Sequence, residues 1–118
     1  MAYRSFEELD VWQKGCRSAV KTYEILRDCK DYGLKDQMTR SAVSIPSNIA
    51  EGAERDSQAE FARFLHIAKG SAAELRTQVY IAQQVDLISP QTKSELMTEL
   101  KIISSMLHAL IKAVKSST

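Results

Sequence analysis

The side chains best suited to metal or nucleophilic chemistry are few: two histidines and two cysteines in 118 residues. A di-iron helical bundle needs Glu-x-x-His pairs projecting inward, but Arg63 stands three residues before His66 and Ser105 three before His108. Neither histidine has a third ligand beside it to complete a zinc site. Cys16 and Cys29 lie in no metal or redox spacing, and no partner base can be assigned to either as a nucleophile. His-Glu-x-x-His, Gly-x-Ser-x-Gly, the Walker loop and Gly-x-Gly-x-x-Gly do not occur in the chain. The expectation is a protein without catalytic residues, metal or cofactor, and not an enzyme.

Phosphate attachment is the chemistry that remains. Lys14, Arg17 and Lys21 share one face of a first helical pattern, Lys69 and Arg76 one on a third, and Lys101, Lys112 and Lys115 one on a fourth. Cations repeated at helical spacing neutralise phosphates and release counterions, which gives salt-dependent, sequence-tolerant affinity. Sixteen Lys and Arg against fifteen Asp and Glu leave a net charge of +1, excluding the basic excess of a dedicated nucleic-acid-binding arm. Residues 1–32, 33–56, 57–85 and 86–118 carry net charges of 0, −1, +1 and +1, so no segment is a basic block. The aromatic interleaving of single-strand binders does not accompany the stripes. As ordinary solubilising charge, the last group would also complement the C-terminal end of a helix.

The elements that must position these groups are helices. Strand-like alternation is absent, and two prolines with four glycines leave few break points. Each of four patterns shows the alternating 4,3 spacing of a packed helical seam. They run through Leu9, Trp12, Cys16, Ala19, Tyr23 and Leu26; through Leu34, Met38, Ala42, Ile45 and Ile49; and through Phe61, Leu65, Ala68, Ala72, Leu75, Val79 and Ala82. The last runs through Leu96, Leu100, Ile103, Leu107, Leu110 and Val114. Ser5 with Glu8 and Ser57 with Glu60 read as capping boxes, and Ser89-Pro90 as an N-cap with proline at the first helical position. Gly33 and Glu54-Arg55-Asp56 mark separations. The spacing predicts helices near 6–28, 34–54, 58–85 and 90–116. Short connections make neighbours antiparallel, so the expected fold is all-α, one up-down-up-down four-helix bundle over residues 1–118 and about 40 Å long.

Pro46 falls inside the second pattern, where it removes one backbone bond and crowds the Ala42 carbonyl, so a kink costing about 3 kcal/mol is expected. Ser44, Ser47 and Asn48 stand ready to bond the freed backbone groups. Arg40, Ser44 and Asn48 make a row on this helix, and Glu74 sits at the flank of the third helix's seam. A carboxylate there needs a partner, so a polar network of Arg40, Ser44, Asn48 and Glu74 that fixes helix register is expected.

The run Arg40-Ser41-Ala42-Val43-Ser44-Ile45-Pro46-Ser47-Asn48-Ile49-Ala50-Glu51-Gly52 resembles the signature of bacterial four-helix-bundle proteins encoded within 23S ribosomal RNA intervening sequences. Val11-Trp12-Gln13-Lys14, Phe61, Phe64-Leu65, Ala68, Gly70-Ser71 and Glu74-Leu75 agree with it, so the resemblance covers about residues 9–88; the fourth helix matches only in pattern. It implies a small α-helical bundle assembling as a ring-like homo-oligomer, a pentamer. The family is also similar to accessory proteins of diversity-generating retroelements, bundles that bind nucleic acid beside a reverse transcriptase. Those proteins are markedly basic, whereas this chain is close to neutral.

The fourth helix adds Met97, Ile102, Met106, Ala109, Ile111 and Ala113 to its seam, more apolar surface than a bundle face needs, which predicts contact with another subunit. The longest uncharged stretches, such as 102–111, are about half a bilayer span. With no apolar leader at the N-terminus and sparse cysteines, a cytoplasmic setting without membrane is expected. The expectation is thus a homo-oligomeric bundle that binds or scaffolds RNA or DNA through its basic stripes. The alternative is an adaptor docking another helix, or a polymerase-type protein, through spare apolar faces; such docking resists salt, whereas phosphate binding does not.

Overall fold

A computed structural model describes residues 5–117. Among these residues there are four α-helices, α1 Asp10–Ile25, α2 Tyr32–Ala53, α3 Gln58–Gln84 and α4 Pro90–Ser116, preceded by a 3-10 turn at Phe6–Glu8. They make a four-helix bundle 46 Å long and 19 Å across. Loops of a few residues set sequential helices side by side, and the α2–α3 and α3–α4 seams are the most extensive. α1 is short and meets α4 only sparsely, which leaves a groove between them.

Helix boundaries follow the caps. Ser57 Oγ accepts from Glu60 N and Ser89 Oγ from Thr92 N, with Pro90 at the first helical position. The reciprocal half of the Ser57 box does not form, because the Glu60 carboxylate turns to Arg63 instead. The expected first helix, 6–28, is divided. Ser5 Oγ caps Glu7 N rather than Glu8 N, and Leu9 is extended, so the chain turns once before α1 begins at Asp10. After Ile25 the backbone tightens into i→i−3 bonds, Arg27 N to Glu24 O and Cys29 N to Leu26 O. α2 starts two residues earlier than expected, because the Asp31 carboxylate accepts from Leu34 N and caps it; Gly33 lies in the first turn.

The core seams of α2 and α3 are those read from the spacing, with every expected α3 position buried. On α4, Ile111 replaces Leu110, which is only half-buried. The seam of α1 is rotated by about one residue. Val11, Gly15, Ser18, Ala19, Thr22 and Leu26 face inward, while Trp12 and Cys16 are half-buried and Tyr23 is 51% exposed. Small residues serve here because α1 lies close against Pro46. A Cβ added at Gly15 would sit 3.4 Å from both Ile45 Cγ2 and Pro46 Cδ. Thr22 keeps its hydroxyl satisfied by donating to Ser18 O at 2.8 Å. α2 runs through Pro46 without interruption, and the buried ring forms the wall on which α1 rests.

The apolar excess expected on α4 shrinks in the fold. Ile111 enters the core, Met97 and Met106 pack against it, and Ile102 is the large apolar side chain left exposed. Exposed apolar side chains instead gather around α1, α2 and α3, at Val20, Tyr23, Val43, Ile67, Ile81 and Val85. No helix among the described residues is long and apolar enough to cross a membrane.

Candidate functional site

The polar network forms with a different membership from that expected. Ser44 Oγ lies 2.8 Å from Ser71 Oγ, joining α2 to α3, and Asn48 Nδ2 donates to Ser44 O at 2.8 Å and to Ser44 Oγ at 2.9 Å. Arg40 and Glu74 take no part. Arg40 is exposed and pairs with Asp36 at 3.2 Å, and Glu74 is exposed to water. One helical step decides this: Ser71 points at α2, and Glu74, three residues on, falls outside the seam, where a carboxylate keeps its hydration. Asn48 reaches the Ser44 carbonyl, not the Ala42 carbonyl that Pro46 frees. Ser71→Ala should therefore cost about 1 kcal/mol of unfolding free energy, whereas Glu74→Ala should stay within about 0.5 kcal/mol. Urea denaturation followed by circular dichroism separates the two.

The basic stripes fall into two places. Lys14, Arg17 and Lys21 line the α1–α4 groove together with Glu99, Ile102 and Ile103. Lys21 Nζ bonds Glu99 Oε2 at 2.6 Å and lies 4.0 Å from Glu95 Oε1. The bond from Glu99 holds the Lys21 ammonium above its usual pKa, against a smaller desolvation effect. This groove is therefore of mixed charge: of its three cations, Lys21 is ion-paired among the described residues and Lys14 and Arg17 are not.

The stripes on α3 and α4, in contrast, meet. Lys69 Nζ lies 3.3 Å from His108 Nδ1, a bond in which only the ammonium can donate. Lys93 Nζ sits 5.8 Å from the centre of the Tyr80 ring. Arg76 and Tyr80 of α3 line one shallow cleft with Met97 of α4, and His66 lines another with Lys115. These contacts fix the antiparallel register and show which helix faces adjoin. On α3 the facing line is His66, Lys69, Ala73, Arg76 and Tyr80, spaced 3,4,3,4. On α4 it is Lys93, Met97, Lys101, His108 and Lys115, with Lys112 one turn from His108.

The result is a single strip carrying Lys69, Arg76, Lys93, Lys101, Lys112 and Lys115. From residue 93 to 115 it extends about 33 Å at the helical rise of 1.5 Å.

Carboxylates of the same helices face elsewhere. Glu95 and Glu99 turn toward Lys21 of α1. Glu60 is bonded by Arg63 at 2.9 and 3.2 Å, which holds its carboxyl below the usual range. Glu74 is exposed outside the α2–α3 seam, on a different side of α3 from the Lys69–Arg76 line. A net charge near zero thus conceals a segregated surface: the acids are drawn to one side of α4 and the cations to the other.

Lys93, His66 and Tyr80 belong to this strip and were not legible as members. Lys93 extends the α4 stripe by two four-residue steps through Met97, and that spacing is the signal that identifies it. Among the described residues, no three His, Cys, Asp or Glu side chains converge to hold a metal ion. Burial pushes the Cys16 thiol above its usual pKa, with Arg17 opposing more weakly, so the reactive thiolate is disfavoured.

Comparison with known proteins agrees with the architecture. A crystal structure of a protein of unknown function from the S23 ribosomal protein family of Bacteroides thetaiotaomicron superposes with a TM-score of 0.82. The two share 26% sequence identity over 86% of this chain and 98% of the other. No curated protein matches the sequence. Residues 7–109 match the family described as 23S rRNA-intervening sequence protein. Signature run, helical order and superposition agree, and the chain belongs to the 23S rRNA-intervening sequence protein family.

Proposed function

We propose that this protein binds RNA or DNA through the α3–α4 strip, as a non-enzymatic, self-associating scaffold. The observation that carries the reading is the segregation of charge. Six Lys and Arg side chains lie along the adjoining faces of α3 and α4 while the carboxylates of both helices are turned away or paired. A strip about 33 Å long spans roughly ten phosphates of one strand at 3.4 Å each, so several can be met at once. Phosphate contacts of this kind position a nucleic acid without reading its bases.

Self-association is supported by apolar side chains on the faces away from the strip, among them Val43, Ile67 and Ile81, each more than 40% exposed. A ring of copies would repeat the strip around its axis and multiply the contacts. Sedimentation velocity at micromolar concentration should give a species heavier than the 13.2 kDa chain; a stable monomer overturns this part of the reading.

Salt tests the rest. If five or six phosphates are neutralised per copy, the log–log slope on duplex should be about −5, an affinity loss near 10³ between 50 and 200 mM salt. Gel shifts with structured RNA and duplex DNA across that range measure it. Binding that ignores salt would point to apolar docking instead, and no binding at 50 mM would overturn the proposal.

A further inference from the structure

We infer that the Tyr80 end of the strip is a stacking site for an unpaired nucleobase, so that the protein prefers single-stranded or looped nucleic acid to duplex. This inference rests on the nucleic-acid reading above and adds a substrate form to it. Tyr80 is 52% exposed, although a tyrosine on a bundle surface could lay its ring against the neighbouring helix. It stands over a shallow cleft of about 370 Å³ whose other walls are Ala73, Arg76, Thr77 and Met97. Small residues at Ala73 and Thr77 keep the cleft open beside the ring, and Met97 gives it an apolar, deformable side.

Two cations flank the ring. Lys93 Nζ is 5.8 Å from its centre, at the outer limit of a cation–π contact, so the ring holds the ammonium only weakly. Among the described residues Arg76, one turn before Tyr80, has no ion-pair partner, and its buried Nε–H meets no acceptor. The residue is half-buried and lines the cleft. A phosphate or a base carbonyl in the cleft would give that group its acceptor. An exposed aromatic ring between a guanidinium and an ammonium is a combination that holds single strands: the ring stacks on a base face and the cations take the phosphates on either side. A base inside a duplex keeps its stacked neighbours and cannot offer that face.

The test compares the full chain with its Tyr80→Ala, Tyr80→Phe and Arg76→Gln variants. Fluorescein-labelled oligo(U), oligo(dT) and a mixed-sequence duplex are titrated at one low salt concentration, with sedimentation run in parallel. Tyr80→Ala should weaken both single strands by about 5- to 100-fold, leave the duplex within about twofold, and melt at the parent temperature because the side chain is exposed. Tyr80→Phe should retain single-strand affinity, since the ring and not the hydroxyl does the stacking, and Arg76→Gln should weaken all three probes. Equal losses on duplex and single strand, no loss on either, or a changed oligomeric state in Tyr80→Ala would overturn the stacking site while leaving the phosphate-binding strip intact. A parent protein that binds none of the three probes would overturn the nucleic-acid reading itself, and the stacking site with it. Relative affinity for oligo(U) and oligo(dT) then tells RNA from DNA as the strand the site takes.

Discussion

Gly52→Ala should destabilise the bundle by about 3 kcal/mol, a fall in Tm of roughly 10 °C for a chain of this size. In a helix this change ordinarily stabilises by up to about 1 kcal/mol, because alanine loses less backbone freedom. Here the new Cβ would lie 2.5 Å from Phe64 Cβ and 3.3 Å from both Phe61 Cδ1 and the Phe61 carbonyl oxygen. Phe64 Cβ is the root of its side chain, so no rotamer change relieves the contact. The ring is further held by the guanidinium carbons of Arg55 and Arg63, at 4.8 and 4.6 Å from its centre. The remaining relief is to move α2 away from α3 at their shared corner, which opens the most extensive seam of the core.

Gly70 supplies the opposite sign. A Cβ at Gly70 meets nothing within 4 Å, so Gly70→Ala should gain up to about 1 kcal/mol from helix propensity alone. Urea unfolding of the two variants measures both effects, and a Gly52→Ala protein as stable as the parent would show that α2 and α3 do not pack as described.

Gly52 closes the run from Arg40 that carries the family signature, and its packing gives much of that run a physical meaning. Ala42, Ile45 and Ile49 are core, Ser44 ties α2 to α3 with Asn48 bonded to it from the next turn, Pro46 seats α1 at Gly15, and Gly52 lets α2 and α3 meet. Helical spacing made the α2 and α3 seams legible, because their large apolar residues repeat without competition. It misjudged α1, where the inward line is Gly15, Ser18 and Thr22, residues that hydropathy ranks as surface. They face inward because closeness of approach, rather than side-chain size, governs that contact.

The candidate site was half legible for a related reason. Spacing along one helix shows which cations share a face, but it does not show which faces of two helices adjoin. Lys69 with Arg76 and Lys101 with Lys115 read as separate stripes, and the contact of Lys69 with His108 shows that their helix faces adjoin. Segment charges near zero pointed away from this, since they average Glu95 and Glu99 with lysines on the opposite side of α4. Lys14, Arg17 and Lys21 also share a helix face, and Glu99 neutralises part of that stripe from a helix distant in sequence.

That contrast sets the second large effect. Lys69→Glu with Lys101→Glu and Lys112→Glu should lower nucleic-acid affinity by at least about 100-fold at 0.1 M salt and cut the salt slope by half or more, because each phosphate contact contributes about 0.9 to it. All three positions are exposed or half-buried on helices, where glutamate is a good helix former, so the fold should survive.

The matched control reverses Lys14, Arg17 and Arg40 to glutamate, which changes net charge by the same amount on the α1 and α2 side. A general field effect would make the two triple variants equally weak. Contact at the strip makes them differ, since the bundle is 19 Å across and screening at 0.1 M reaches only about 10 Å. The control should therefore lose less than about tenfold. Were it to lose as much as the strip variant, phosphates would be held by overall charge and not by the α3–α4 groove; were it to lose more, the α1–α4 groove would be the interface in spite of its carboxylates.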